Sequence, residues 1–250
     1  MKQSAIIQAR MESSRLPGKV LKLLDDKPLL FHVINQLKNC KQLKNIIVAT
    51  TNLPEDDIIE EYVKKLNVSY FRGHPTDVLD RFFQCAKFYS IKIIIRITAD
   101  NPLMDPNIVD DAIEKFNNGN FDYLSTQRSK TFPNGTETEI FSFQSLEKAW
   151  LNAKKPSERE HVTSYFYNNP EIFYLGQLTN SENLSHLRLT IDEENDLELV
   201  RILFSKIKKR PILISDILRI LKHEPELTKI NSDIQYNEGY LKSLQEDKNL

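Results

Sequence analysis

The chain has 250 residues, 40% hydrophobic and 28% charged, and its 34 basic and 35 acidic side chains give a formal net charge of −1. That length can bury a sizeable core, and the charge balance gives no electrostatic reason to expect nucleic acid or an acidic membrane as partner. No apolar run approaches membrane-spanning length and the opening strand pattern at residues 4–9 is too short for a secretory signal, so a cytoplasmic protein is expected.

Residues 5–9 form a short apolar run that stops at Arg10. Residues 28–40 place Leu29, Leu30, Val33, Ile34 and Leu37 at helical spacing behind Pro28, which suits a helix start. Residues 45–51 are β-branched and short, as buried strands are. A helix at 54–66 opens on Glu55, Asp56 and Asp57, acids that favour a helix N-terminus. A strand at 68–71, a helix at 77–89, a buried strand at 92–98 and a helix at 106–116 follow. Cys40 and Cys85 fall on apolar helix faces and make neither a zinc motif nor a disulfide framework. The second half is less regular, with strands expected at 136–141, 172–177 and 187–191 and helices near 144–153, 158–167, 195–206 and 214–221.

Strands separated by single helices imply right-handed crossovers and a mainly parallel sheet covered on both faces. Ligands of such sheets bind outside the carboxyl ends of the strands. Polar clusters at residues 10–19, 50–52 and 98–105 fall at those ends. No Pro/Ser/Gly-rich linker divides the chain, so residues 1–250 read as one domain, with residues 224–250 as a polar tail.

The segment Arg10-Met-Glu-Ser-Ser-Arg-Leu-Pro-Gly-Lys19 gathers Arg10, Arg15 and Lys19 with the hydroxyls of Ser13 and Ser14 directly after the first strand. A triphosphate needs this combination: planar forks from arginine, a compact charge from lysine and free backbone N–H groups. Gly18 lets the backbone come close to a ligand. The spacing matches neither a Walker loop nor a Gly-x-Gly-x-x-Gly dinucleotide turn.

Asp100, just beyond the strand at 92–98, is placed either to hold Mg²⁺ between phosphates or to form the turn before Asn101-Pro102. Asp105 before Pro106 reads as a helix N-cap. Asp192 ends another apolar pattern, so it suits equally a second metal carboxylate or a cap for the helix that follows; Glu194 and Asp196 read as first-turn acids. Glu137 and Glu139 alternate on a strand pattern and so share a face, directed at an acceptor or at water. Arg159 and His161 lie at a helix start, where they meet an anionic acceptor or form a solvent-facing turn. His32 and His186 read as structural, and no Ser/His/Asp or Cys/His arrangement points to a hydrolase.

Taken together, Ala9 to Val20 with its Ser-Ser-Arg-Leu-Pro-Gly-Lys core, Phe71-Arg-Gly73 with Asp77-Val-Leu-Asp-Arg81, Arg96-Ile-Thr-Ala-Asp100, Ser157-Glu-Arg-Glu-His-Val-Thr163 and Leu187-Arg-Leu-Thr-Ile-Asp192 resemble one family pattern. It is that of the spore-coat-polysaccharide-type cytidylyltransferases, relatives of the enzymes that make CMP-sialic acid and CMP-3-deoxy-octulosonate. The resemblance runs from about Ala5 to Val200 and returns at residues 237–243. It implies a Rossmann-like nucleotidyltransferase fold, CTP with Mg²⁺ as cofactor, and a homodimer. It also implies nucleotide contacts from Ala9, Arg10, Ser14, Arg15, Lys19, Arg72, Asp77 and Arg81, with Asp100 and Asp192 as metal carboxylates. Arg15, Lys19 and Asp100 would then be catalytic. Glu137, Glu139, Arg159 and His161, with Arg128, would face a small-molecule acceptor. His74 after Arg72-Gly73, and Ala99-Asp100-Asn101, depart from the usual pattern; neither removes a charged group, so they bear on acceptor specificity rather than nucleotide handling.

The implied reaction is in-line displacement at the α-phosphorus of CTP, which depends on positioning and charge neutralisation. A glycosyltransferase using a nucleotide sugar would show an Asp-x-Asp pair, which Asp100-Asn101-Pro102 lacks. A non-catalytic nucleotide-binding module would not require two carboxylates at separate strand ends.

Overall fold

A computed structural model describes residues 3–234 and 238–248, without the side chains of residues 238, 239 and 242. Of the motif at 237–243, Asn237 lies outside the described residues.

The strand β1 (Gln3–Gln8) leads through a basic loop into a small hairpin of β2 (Leu23–Leu24) and β3 (Lys27–Pro28), then helix α1 (Leu29–Leu37). Next come β4 (Asn45–Thr51), α2 (Asp57–Lys65), β5 (Ser69–Gly73), α3 (Val78–Phe88), β6 (Ile93–Thr98) and α4 (Pro106–Asn118). The remainder is β7 (Tyr123–Ser125), β8 (Glu139–Ser142), α5 (Phe143–Asn152), α6 (Pro156–Glu160), α7 (Ser164–Asn168), β9 (Leu175–Gln177), α8 (Glu194–Lys206), α9 (Ile214–His223) and α10 (Glu238–Asp247).

Seven of these strands form one sheet in the order β5-β4-β1-β6-β8-β7-β9. The run β5-β4-β1-β6 is parallel throughout, and only β8 opposes both its neighbours. The expected mainly parallel sheet with helices on both faces is therefore the fold. Alternate residues of β1 divide between two cores: Ala5 and Ile7 pack towards α1, α4, α8 and α9, while Ile6 packs towards α3 and α5. Continuous apolar β-branched runs such as Ile93-Ile94-Ile95 are what a strand covered on both faces requires.

Differences from the sequence reading lie mostly in the second half. Residues 187–191 make no strand, only a single bridge from Arg188 to Asn134. The helix expected at 158–167 is two short helices, broken where Val162 takes a left-handed conformation at φ 54°. Strand β8 begins at Glu139, so Glu137 stands in the turn before it. Asp105 does cap α4, accepting from the Asn107 N–H at 2.9 Å, and its other oxygen accepts from the Ile214 N–H at 2.8 Å. Both cysteines are buried, and burial pushes each thiol up to about 12. Within the tail, α10 packs on α6, with Asp247 accepting from the Ser157 N–H and hydroxyl.

Candidate active site

Chain direction reverses across the sheet at β1: the chain passes from β1 outward through β4 to β5, then returns to place β6 on the other side of β1. Such a switch point leaves a crevice beyond the strand ends. The loop at residues 10–19 follows β1 into that crevice, and Asp100 follows β6 into it. The loop is shaped by its own bonds. The Met11 N–H donates to Asp56, the Gly18 N–H to the Met11 carbonyl, and the Leu16 N–H to the Ser13 hydroxyl. Gly18 takes the left-handed conformation at φ 66°, which glycine adopts without strain and which turns Lys19 inward.

Lys19 is the centre of the site. Its ammonium donates to Asp100 Oδ2 at 2.7 Å, Asp192 Oδ1 at 2.8 Å and the Ile191 carbonyl at 3.1 Å. The Ile191 N–H donates to the Asp100 carbonyl at 2.9 Å, tying together the two segments that carry the carboxylates. Burial alone would lower the Lys19 pKa; the charges and hydrogen bonds of Asp100 and Asp192 outweigh it and hold the group above its ordinary value. Asp192 is likewise half-buried, yet Lys19, Arg15 and Arg188 hold it below the usual carboxylate range. Arg15 lies 3.1 Å from Asp192, and Arg188 donates to it at 3.1 Å. Asp192 thus turns into the crevice, and Glu193, not Asp192, occupies the cap position of α8.

Two adjoining cavities open here, of about 680 Å³ and about 270 Å³. The larger is lined by Ala9, Arg10, Ser14, Arg15 and Lys19 from the first loop, by Asp77 and Arg81, and by Asp100, Arg159, His161 and Asp192. Arg81 is almost wholly buried, its Nη1 donating to the His74 and Pro75 carbonyls while its Nε has no hydrogen-bond partner among the described residues. Burial, with the nearby Arg10 charge, lowers its pKa to about 10. Asp77 caps α3 through the Asp80 N–H and also accepts from Arg159 at 2.8 and 2.5 Å. Arg159 is therefore committed to Asp77 and to the Trp150 carbonyl.

The smaller cavity is lined by Asp100, Asp192, Glu137, Glu139 and His161, with Arg15, Arg96, Arg188 and Tyr240. Glu139 is buried, ion-paired with Arg96, and accepts from the Tyr123 hydroxyl at 2.5 Å. Glu137 accepts from the Gly135 N–H at 2.7 Å; burial, then the charges of Asp100 and Glu139, push it up to about 7. The His161 Nε2 meets the Ser243 hydroxyl at 2.9 Å, and its ring stands edge-on to Tyr240, so α10 borders this cavity.

Arg72 is placed elsewhere. Its guanidinium binds Asp57, Glu60 and the carbonyls of Thr51 and Leu53, beside the β4–α2 connection, and it does not line either cavity. Residue 72 is part of the strand β5, and the side chain finds carboxylates on α2 within reach. Arg128 likewise lines neither cavity. Conversely, Arg96, Arg188, Tyr240 and Ser243 line the cavities without having been singled out. For Arg96 and Arg188 a signal existed: each is a lone cation inside an apolar strand-like run, at a place where a buried charge needs a carboxylate partner.

Asp100 and Asp192 can converge on one cation, since both already meet a single ammonium. Among the described residues no cluster of three or more His, Cys, Asp or Glu is placed to hold a metal. Magnesium usually takes only one or two carboxylates from protein and the rest of its oxygens from phosphates and water. The donor set therefore fits Mg²⁺.

A doubly wound sheet with a cationic loop and two carboxylates at its switch point is the architecture of a nucleotidyltransferase. The family model described as cytidylyltransferase matches residues 4–235, and the chain belongs to that family. The spore coat polysaccharide biosynthesis protein SpsF of Bacillus subtilis is 33% identical over 88% of this chain and 94% of its own length. A cytidylyltransferase of Leptospira borgpetersenii is similar in structure with a TM-score of 0.89 at 36% identity, covering 94% of this chain and 100% of that one. A CMP:2-keto-3-deoxy-manno-octonic acid synthetase in complex with CTP shares the fold, with a TM-score of 0.65 at 18% identity over 82% of this chain and 99% of that one. No helix among the described residues is long and apolar enough to cross a membrane.

Proposed function

We propose that this chain transfers CMP from CTP to a sugar acid, sugar phosphate or phosphorylated small alcohol, releasing pyrophosphate, in the synthesis of surface-polysaccharide precursors. The observation that carries the reading is the convergence of Lys19, Arg15, Asp100 and Asp192 where the carboxyl ends of β1 and β6 meet. An acceptor oxygen attacks the α-phosphorus, and the bond to the bridging oxygen breaks as pyrophosphate departs. Arg10, Arg15 and Lys19 bind the triphosphate and neutralise the charge that develops on the leaving group. Asp77 and Arg81 border the larger cavity and would meet the nucleoside there. Glu137, Glu139 and His161 border the smaller cavity, which suits an acceptor. Asp100 and Asp192 would hold Mg²⁺, which supplies Lewis acidity to the phosphate oxygens when bound.

The CTP bound by the 3-deoxy-manno-octonic acid synthetase and the polysaccharide role in the name of SpsF support cytosine and the pathway, respectively. We read the chain as a cytoplasmic homodimer, which light scattering on the purified protein tests. The decisive assay supplies each nucleoside triphosphate in turn with Mg²⁺ and candidate acceptors, and follows pyrophosphate. Release with CTP and one acceptor class is expected; tight CTP binding with no turnover for any acceptor would leave only a nucleotide-binding module.

A further inference from the structure

The ammonium of Lys19 has three N–H donors and no acceptor. All three have partners: Asp100 Oδ2 at 2.7 Å, Asp192 Oδ1 at 2.8 Å and the Ile191 carbonyl at 3.1 Å. Held in this way, Lys19 has no donor left for a phosphate. The same three atoms are two hard carboxylate oxygens and a carbonyl oxygen, the donor chemistry that a divalent cation takes from protein. A lysine that grips phosphate and a metal that sits on Asp100 and Asp192 are therefore alternatives to the arrangement seen here.

We propose that Lys19 and the divalent cation compete for this one oxygen cage, so that the cation is admitted only as a nucleoside triphosphate draws the ammonium away. The inference rests on the reading of Asp100 and Asp192 as metal carboxylates. Charge balance gives the exchange its logic. A metal arriving alone would meet an ammonium at contact distance and would have to expel it into water, away from both of its counter-ions. A metal arriving with triphosphate brings the anion onto which Lys19 moves, so each cation keeps its partners. The four-carbon lysine stem provides the reach for such a move.

The cage does not depend on Lys19 for its shape. The Ile191 N–H bonds to the Asp100 carbonyl at 2.9 Å, and Arg188 holds the other oxygen of Asp192 at 3.1 Å. Removing the ammonium should leave two carboxylates still facing each other and in need of a cation. The apparent affinity of a ligand falls by the fraction of molecules whose site is open to it. If Lys19 fills the cage in nine molecules of ten or more, its removal tightens metal binding by at least about tenfold.

The test uses the full chain without nucleotide or acceptor, with Mn²⁺ as probe and bound Mn²⁺ measured by electron paramagnetic resonance. Lys19→Met keeps the apolar stem and should bind Mn²⁺ at least about tenfold more tightly than the wild type. Adding Asp100→Asn to Lys19→Met should abolish that gain. Equal or weaker Mn²⁺ binding by Lys19→Met, or a gain that persists without the Asp100 charge, overturns the inference. Should Lys19→Met fail to fold by circular dichroism, wild-type crystals soaked in MnCl₂ decide. No anomalous peak between Asp100 and Asp192 is expected, and a peak with Lys19 still bonded to both carboxylates overturns the idea. None of these readouts requires turnover. Failure of cytidylyl transfer and failure of the exchange would be seen in separate experiments.

Discussion

Arg188 and Asp196 form a two-point ion pair behind the candidate metal site, with Nε donating to one carboxylate oxygen at 2.8 Å and Nη2 to the other at 3.0 Å. Asp196 is fully buried and also accepts from the Asp192 and Glu193 N–H groups and from Asn231. The same Nη2 reaches Asp192, so Asp196 fixes Arg188 and Arg188 fixes the carboxylate that faces Lys19. Removing one partner of a buried pair strands the other charge. Asp196→Ala is expected to lower the unfolding free energy by about 3–5 kcal/mol in urea melts. Glu194→Ala, two residues earlier in the same first turn, breaks an exposed pair with Lys22 and should cost within about 1 kcal/mol. Equal effects from the two would refute the anchoring role.

Lys19 and Asp100 are expected to be needed for chemistry rather than for folding. On the proposed reading Lys19 binds the triphosphate and Asp100 holds the cation, and losing one such charged contact costs about 3 kcal/mol of transition-state stabilisation, a rate loss of about a hundredfold or more. Lys19→Ala and Asp100→Ala should each reduce pyrophosphate release by that factor while keeping a cooperative thermal transition. Full activity in both variants would remove the site assignment.

What the sequence made legible follows from where its signals were redundant. Strands β1, β4 and β6 each show a compact apolar run between polar clusters, and the loop after β1 adds cations to position, so sheet and site emerged together. Residues 187–191 show why the rest was harder. A strand was expected there, and Leu187, Leu189 and Ile191 are buried, yet the segment forms no ladder. Its backbone groups are taken up singly, by Asn134, Asp100, Lys19 and Asn231, partners that no local pattern could name. Asp196 is the first-turn acid that its position suggested, and the buried pair with Arg188 is an addition that only the tertiary packing supplies. Arg72 sat inside a recognised motif, but the placement of α2 beside β5, which supplies its carboxylate partners, is a tertiary fact.

Arg72 accordingly gives a prediction that separates motif from geometry. Its bonds to Asp57, Glu60 and the carbonyls of Thr51 at the end of β4 and Leu53 beyond it hold the β4–α2 connection. Asp57 is largely exposed, so solvent weakens that part of the cluster. Arg72→Ala is expected to cost about 1–2 kcal/mol of stability and to change KM for CTP by less than about twofold, a difference within ordinary kinetic spread. A large rise in KM with unaltered Tm would return Arg72 to the nucleotide site.

Glu137 should leave a pH signature in stability. Burial and the charges of Asp100 and Glu139 raise its pKa from 4.5 to about 7, against the opposing effect of the Gly135 and Glu137 N–H groups. Between those values the folded chain retains a proton that the unfolded chain has released, so stability falls as pH rises. The contribution is fully present below pH 4.5 and is lost as pH rises through about 7. Glu137→Gln can still accept from the Gly135 N–H but cannot ionise. In EDTA, without nucleotide, the Tm of Glu137→Gln relative to wild type should therefore climb across that window and level off above it. A difference that stays flat from pH 4.5 to about 7 would show that the carboxyl is not held protonated beside Asp100 and Glu139.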